Sequence, residues 1–289
     1  MMVQTRQVTA MIKTILVGID GSEHSRTAIR YALSLAGRLD ATLVALHVID
    51  IVSIEGSFFH DISGSLGFEP YLDFSSKMRE VLQERGRALL EAFSEEAGKA
   101  GVRASTLMTV GVVANEIAER ARTADLVVIG HRGLNERFST GLLGGTAESV
   151  SRKCPKPVLV TPMEFREITD PLLAYDGSAR AAAAMHVAAE FCSVLKLPLT
   201  VLTVNKDEEQ GRKCLDEAHS YLAPYNLEAR YELQQTSNAP ERIANFIRER
   251  HYDLLFIGAY GHSRIIEMVL GSTTEYVLRN ADCPVFLNR

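Results

Sequence analysis

Short apolar runs alternate with longer amphipathic stretches along the whole chain. The runs are rich in β-branched residues, which is typical of strands that are buried on both faces of a parallel sheet. Regular alternation of strand and helix predicts such a sheet with helices on both faces. In the first half the predicted strands are 12–19, 41–49, 103–109, 125–130 and 157–162, and the predicted helices are 22–38, about 73–99, 113–122 and 144–153.

The second half of the chain repeats the first. "TILVGIDGSEHS" (14–25) corresponds to "PLLAYDGSARAA" (171–182), and "ADLVVIGHRG" (124–133) corresponds to "YDLLFIGAYG" (252–261). The repeat predicts an α/β protein of two repeated, doubly wound, five-stranded parallel-sheet domains of Rossmann-like type. Strands in the second half are predicted near 171–175, 198–204, 228–234, 253–258 and 284–288.

A charged segment, "MEFREITD", separates the two copies just before Pro171. Met11 opens the first apolar run, so the residues before it are predicted to be an extension that is either disordered or a mis-assigned start. The predicted divisions are the extension at 1–10, domain 1 at 11–164, a linker at 165–170 and domain 2 at 171–289.

Composition and charge exclude several classes of protein. The chain is 46% hydrophobic and 23% charged, as in an ordinary globular protein, and its net charge of −5 argues against a nucleic-acid binder. It contains no apolar run long enough to span a membrane and begins with no apolar signal segment, so we expect a cytoplasmic protein. The four cysteines lack metal-ligand spacing and are predicted to be small buried hydrophobes in a reducing compartment.

A glycine pattern occurs once in each copy, in "GHRGLNERFSTGLLGGTAESV" (130–150) and "GAYGHSRIIEMVLGSTTEYV" (258–277). Two glycines leave a strand, and a third stands where the next helix begins. Glycine lets backbone approach an anion closely, and a helix N-terminus favours phosphate. Ligands of open parallel sheets bind beyond the carboxyl ends of the strands, where Asp20 and Asp176 also stand. We expect these carboxylates to face the glycines and to accept from a ribose hydroxyl or an adenine amine.

The pattern also has a purely structural interpretation. Ser272 followed by Glu275 has the spacing of a capping box, which alone could explain Gly-Ser-x-x-Glu. The pattern is neither a Walker loop nor the Gly-x-Gly-x-x-Gly dinucleotide motif. Its presence twice in one chain, each time after a strand and before a helix, favours phosphate binding.

"ILVGIDGSEHS", "GHRG…LLGGTAESV", "LLAYDGSARA" and "GAYGHSRIIEMVLGSTTEYVLRNADCPVFL" together resemble the universal stress protein family. The resemblance covers nearly all of both halves, so it indicates a tandem member. It implies strand order 3-2-1-4-5 in each domain, an internal pseudo-dimer paired through the final strands, and possible further association into a homodimer. It also implies ATP as the ligand, with any Mg²⁺ held by the phosphates.

ATP-binding members of that family carry Gly-x-x-Gly-x9-Gly-Ser/Thr. Nine residues separate Gly261 from Gly271 in copy two, which matches fully, whereas ten separate Gly133 from Gly144 in copy one. Copy one also has Gly145 where Ser or Thr is usual, although Thr146 follows directly; either the donor is lost or the extra residue brings Thr146 into its place. Domain 2 is therefore the better-matched nucleotide site.

The resemblance assigns a role to each matching position. The adenine-side aspartate falls on Asp20 and Asp176, and the valine that ends the second strand falls on Val48 and Val204. The phosphate glycines fall on Gly130, Gly133 and Gly144 in domain 1 and on Gly258, Gly261 and Gly271 in domain 2. Gly145 and Thr146, and in domain 2 Ser272, stand at the place of the hydroxyl donor. Arg132, Ser263 and Arg264 could add contacts to phosphate or be solvated surface residues, and the same holds for His131 and His262.

The leading functional hypothesis is an ATP-binding stress-response sensor or regulatory module in the cytoplasm. One alternative is a slow ATPase, although no catalytic base can be assigned: Glu136 and Glu267 lie in the loops without a defined direction. Another is a dimerisation scaffold with degenerate nucleotide binding. No catalytic or metal-binding residue is predicted. The apolar segment 50–72 is expected to pack against a domain or another subunit rather than to cover the first crevice.

Overall fold

The computed structural model describes residues 12–50, 71–133, 144–259 and 270–288. The predicted extension and almost all of the segment 50–72 lie outside these ranges. Domain 1 contains β1 (Thr14–Gly18), α1 (Glu23–Leu39), β2 (Thr42–Asp50), α2 (Tyr71–Lys99), β3 (Ala104–Gly111), α3 (Val113–Ala121), β4 (Leu126–Gly130), α4 (Gly145–Lys153) and β5 (Val158–Thr161).

Domain 2 repeats the series, with a short 3₁₀ turn before its third strand. Its elements are β6 (Pro171–Ala174), α5 (Ala179–Leu195), β7 (Leu199–Val204), α6 (Glu208–Leu222), the 3₁₀ turn (Ala223–Tyr225), β8 (Ala229–Gln234), α7 (Ala239–Arg250), β9 (Leu254–Gly258), α8 (Ser272–Asn280) and β10 (Val285–Asn288).

The strands form one ten-stranded sheet in the order β3-β2-β1-β4-β5-β10-β9-β6-β7-β8. The order 3-2-1-4-5 predicted for each domain is confirmed. The halves join through the antiparallel pair β5–β10, in which Leu159 lies opposite Phe286, so the predicted pairing through the final strands is confirmed as well. Antiparallel pairing follows from two-fold pseudo-symmetry, because a two-fold axis normal to the sheet reverses the strand that it generates.

Two apolar layers cover the sheet, and each layer runs through both domains. On one face α1, α2, α5 and α6 pack against the sheet, and the layer contains buried side chains such as Tyr31, Phe93 and Phe256. On the other face α3, α4, α7 and α8 pack against the sheet, and this layer contains buried side chains such as Val127 and Phe246. Both faces of the central strands are therefore buried, and the carboxyl ends of the strands, where the order reverses, are left to form clefts.

The segment 163–170 that joins the domains is fixed to both of them. Arg166 N donates to the Tyr31 hydroxyl at 3.0 Å, and Arg38 donates to Ile168 O at 2.9 Å, which ties the segment to α1. At its far end the Asp253 carboxylate accepts from Thr169 N at 2.7 Å and Asp170 N at 2.9 Å. Burial raises the pKa of Tyr31 to about 12, so its hydroxyl keeps its proton at neutral pH.

Candidate functional site

The Asp-Gly-Ser sequence of each copy forms a tight turn between a strand and the helix that follows. In domain 1 the Oδ1 atom of Asp20 accepts from Ser22 N at 2.8 Å, Gly21 takes a positive φ of 83°, and Ser22 is the N-cap of α1. Gly21 suits this conformation because L side chains are strained at such a φ. The carboxylate therefore has a local structural role as well as a place in the cleft.

Domain 2 builds the same turn from the equivalent residues. The Oδ1 atom of Asp176 accepts from Ser178 N at 2.9 Å, and Gly177 has a φ of 78°. The Ser178 hydroxyl in turn accepts from Ala181 N at 3.2 Å as the N-cap of α5. The turn geometry is thus repeated as closely as the sequence.

The first glycine of each loop allows close packing of a helix on a strand end. A Cβ atom on Gly130 would lie 2.8 Å from the backbone carbon of His24, and one on Gly258 would lie 2.7 Å from that of Arg180. These two glycines line the clefts, but the packing of α1 and α5 already requires them.

The second and third glycines of domain 1 border the crevice at the carboxyl ends of β1 and β4. A Cβ on Gly133 would lie 2.8 Å from Asp20 Oδ2, and one on Gly144 would lie 3.1 Å from His131 O. Gly144 N also donates to His131 O at 3.1 Å. The structure therefore brings the aspartate and the glycine loop to one crevice, as expected from the topology.

The third glycine, and not the residue after it, caps the helix in both copies. Gly144 (φ −65°, ψ 138°) is the N-cap of α4, and Gly271 (φ −61°, ψ 146°) is the N-cap of α8. Ser272 is thus the first helical residue, and the capping box in which it would pair with Glu275 is not formed. That alternative is wrong because Gly271 takes the extended N-cap conformation and Glu275 pairs with Arg279 at 2.5 Å.

The extra residue of the first loop does not shift the helix that follows. Since both helices begin directly after their glycine, Gly145 is equivalent to Ser272, and Thr146 is equivalent to Thr273. Domain 1 therefore presents no hydroxyl at the position of Ser272.

The cleft of domain 1 has a volume of about 840 Å³. Eight of the residues assigned to this site from the sequence line it: Asp20, Val48, Gly130, Arg132, Gly133, Gly144, Gly145 and Thr146. The loop histidine His131 is not among the lining residues. Sequence reasoning missed Leu82 and Arg85, which α2 contributes to one wall.

Close approach of α2 to the sheet depends on Gly86, since a Cβ there would lie 2.6 Å from His47 Cδ2 and 2.8 Å from Met108 Sδ. His47 is itself held by a 2.7 Å hydrogen bond between its Nδ1 atom and Ile19 O. A glycine inside an otherwise helical pattern was the signal in the sequence that could have indicated this contact.

The cleft of domain 2 is smaller, about 540 Å³. The assigned residues that line it are Asp176, Val204, Gly258, Gly271 and Ser272, together with Arg180, Thr273 and Thr274, which sequence reasoning missed. Gly261, Ser263, Arg264 and His262 lie outside the described residues. Within the described part of the chain, α6 contributes nothing to the lining, so this cleft lacks the wall that α2 provides in domain 1.

Other predictions from the sequence concern features outside the clefts, namely the cysteines and the absence of a membrane-spanning segment. The four cysteines are free and buried, as predicted. Burial raises the pKa of Cys214, which packs against the Gly177 turn, so its thiol stays protonated. No helix in the described ranges is long and apolar enough to cross a membrane.

A model of the universal stress protein family matches the chain twice, at residues 11–162 and 171–289. The chain belongs to the universal stress protein family. Its two matches make it a tandem member, in which a single chain carries both copies of the family's fold.

Relatives within this family include another protein of nearly the same length. A universal stress protein of Synechocystis is 31% identical over 288 residues, which is 96% of this chain and 100% of that protein. One from Methanocaldococcus jannaschii is 34% identical over 161 residues, covering 54% of this chain and 86% of that protein. The crystal structure of a universal stress protein from Archaeoglobus fulgidus matches with a TM-score of 0.70 at 23% identity, with 96% of each chain covered, and so shares the fold.

Proposed function

We propose that this universal stress protein binds adenine nucleotides, ATP foremost, and acts as a stress-response regulatory module in the cytoplasm. The start of α8 carries the proposal. Ser272 is exposed in the cleft at the first helical position and is not the N-cap, so its hydroxyl is available to a ligand. The N–H groups of a first helical turn have no partner within the helix and favour an anion.

The arrangement of the second cleft suits a nucleotide that lies across the end of β6. Asp176 and Val204 stand at the side where base and ribose would lie, and Gly271 and Ser272 stand at the phosphate side. Both clefts have volumes within the range of about 300–1,000 Å³ that is usual for small-molecule sites. Any Mg²⁺ would be carried by the phosphates.

Domain 2 is proposed as the tighter site. A hydrogen bond to a charged group contributes about 1.5–3 kcal/mol, and the Ser272 hydroxyl can donate one that Gly145, which has only its backbone N–H, cannot. Arg132 lines the cleft of domain 1 and could offset part of this loss.

Regulation, rather than hydrolysis, is the proposed role. Hydrolysis needs a group that positions or activates water near the terminal phosphate. Among the described residues lining the second cleft, Asp176 is the single carboxylate, and its Oδ1 atom already accepts from Ser178 N in the turn that precedes α5.

Mass spectrometry of the purified protein under non-denaturing conditions would show whether ATP copurifies. Titration calorimetry should then give a Kd for ATP that rises about tenfold or more in Ser272→Ala and changes little in Thr273→Ala, its neighbour and control. If wild type binds no ATP, the scaffold hypothesis replaces this proposal. Steady release of phosphate from ATP would instead favour the ATPase.

A further inference from the structure

One hydrogen bond joins the loop of the first cleft to the helix of the second. The Nε2 atom of His131 lies 2.7 Å from Leu278 O, across the boundary between the domains. A carbonyl oxygen only accepts, so Nε2 must carry the proton in this contact. Leu278 belongs to the last turn of α8.

On the side of domain 1, His131 holds the loop that forms the phosphate end of the cleft. Its backbone N donates to Thr161 O at 2.9 Å, and its carbonyl accepts from Gly144 N at 3.1 Å. Gly144 is the N-cap of α4 and lines the first cleft. A displacement of the His131 side chain would therefore be passed to the backbone at the start of α4.

On the side of domain 2, the same helix begins in the second cleft. Gly271 and Ser272 line that cleft, and Leu278 lies about 10 Å farther along the helix at 1.5 Å per residue. The Thr274 hydroxyl donates to Gly258 O at 3.2 Å, which fixes the first turn of α8 to β9. The single helix α8 thus runs from the proposed phosphate position in the second cleft to the His131 loop of the first cleft.

Among the described residues, no side chain of the second loop makes the equivalent contact with α4. Ala259 occupies the position equivalent to His131, and an alanine side chain has no donor. The backbone N of Ala259 donates to Asn288 O at 2.7 Å, as His131 N does to Thr161 O. The two copies therefore share this backbone hydrogen bond but not the side-chain contact.

We propose that His131 is a positioning residue that couples the two clefts, an inference that rests on the proposed nucleotide binding. An anion at the first turn of α8 polarises the chain of backbone hydrogen bonds along the helix, and this cooperative polarisation makes Leu278 O a better acceptor. The stronger bond holds His131, and with it Gly144, in the geometry that receives phosphate in the first cleft. Coupling of binding is reciprocal, so occupancy of the first cleft favours the second by the same factor.

Hydrogen exchange measured on the full chain tests this, because it reads the two clefts separately through residues 144–147 and 271–274. Ser272→Glu places a fixed negative charge at the start of α8, and Ser272→Gln is its neutral counterpart of similar size. The ATP concentration that half-protects 144–147 should be about threefold lower in Ser272→Glu than in Ser272→Gln, as expected for the strengthening of one hydrogen bond. In the His131→Ala background the two midpoints should coincide.

Comparing the same variants in the absence of ATP tests the link between the clefts independently of nucleotide binding. The Gly144 amide should exchange more slowly in Ser272→Glu than in Ser272→Gln, and His131→Ala should remove the difference. His131→Gln, whose amide can still donate, should restore part of it. His219→Ala, an exposed histidine on α6, is the control and should leave it unchanged.

The outcomes separate the two proposals. If ATP protects neither segment, the proposed function is wrong, but the ATP-free comparison still decides the link. Equal Gly144 exchange in the two Ser272 variants, or a difference that persists in His131→Ala, would overturn the coupling.

Discussion

Glycine has two distinct uses among the residues of the loops. Gly130 and Gly258 let a helix pack directly on a strand end, whereas Gly144 and Gly271 cap the helices that face the clefts. The sequence could not separate these uses, because both place a glycine beside a strand or a helix start. Asp20 and Asp176 were recognised from the repeat, but their turn-forming hydrogen bonds depend on a backbone conformation that residue type alone does not determine.

The packing use leads to a prediction about stability. Gly258→Ala should lower the free energy of unfolding by about 1–3 kcal/mol, because the new methyl group meets the backbone of Arg180 at 2.7 Å. Gly37→Ala is the matched control: nothing lies within 4 Å of its Cβ, and replacing a glycine inside a helix should stabilise the protein by about 0.5–1 kcal/mol. Urea unfolding measures both. A Gly258→Ala variant as stable as wild type would show that α5 moves away at no cost.

The helix register leads to a prediction about affinity. Gly145 is equivalent to Ser272, so Gly145→Ser should tighten ATP binding in the first cleft about tenfold by adding a donor at the first helical position. Thr146→Ala should have little effect, since Thr146 is equivalent to Thr273. Calorimetry on both variants measures this. The opposite pattern, a loss with Thr146→Ala and no gain with Gly145→Ser, would mean that Thr146 contacts the ligand.

Among the elements, α2 differs most from its counterpart. It spans Tyr71–Lys99, whereas α6 spans only Glu208–Leu222, and of these two helices only α2 contributes described residues to the lining of a cleft. The sequence predicted this helix almost in full, since its periodicity is clear. The wall was missed because Leu82 and Arg85 look like ordinary positions of an amphipathic helix, and their direction depends on the contact at Gly86.

Arg85 supplies a test of that wall. Arg85→Ala should weaken ATP binding in the first cleft by roughly two- to fivefold, a modest effect because the guanidinium is exposed and screened by water. Gln210 precedes Gly211 on α6 as Arg85 precedes Gly86 on α2, so Gln210→Ala is the matched control and should leave both clefts unchanged. Hydrogen exchange resolved by segment separates the clefts. A loss confined to the second cleft would contradict the placement of Arg85.

For the whole molecule, the β5–β10 pair makes one continuous sheet out of two copies. Strand positions and the repeat could be predicted from buried apolar runs, and the pairing of the halves from the family resemblance. The His131–Leu278 contact could not, since it joins residues 147 positions apart whose types carry no signal for each other.

Continuity of the sheet predicts cooperative unfolding. Phe286 is fully buried at the central pair, with its ring 4.9 Å from that of Phe256, so Phe286→Ala should cost about 3–5 kcal/mol. The loss should lower a single thermal transition of the whole chain rather than split it. Calorimetry showing two separate transitions in the variant, with one at the wild-type temperature, would indicate that the halves fold independently.

The junction at β5–β10 has a consequence for how this protein can evolve. In an assembly of two identical chains, every mutation appears at both symmetry-related positions. Here the two halves of the sheet are encoded separately, so a codon change at position 131 leaves position 259 as it was. His131 in one copy and Ala259 in the other are a difference that a symmetric pair could not inherit. Covalent fusion thus gives natural selection two independently variable halves of one sheet.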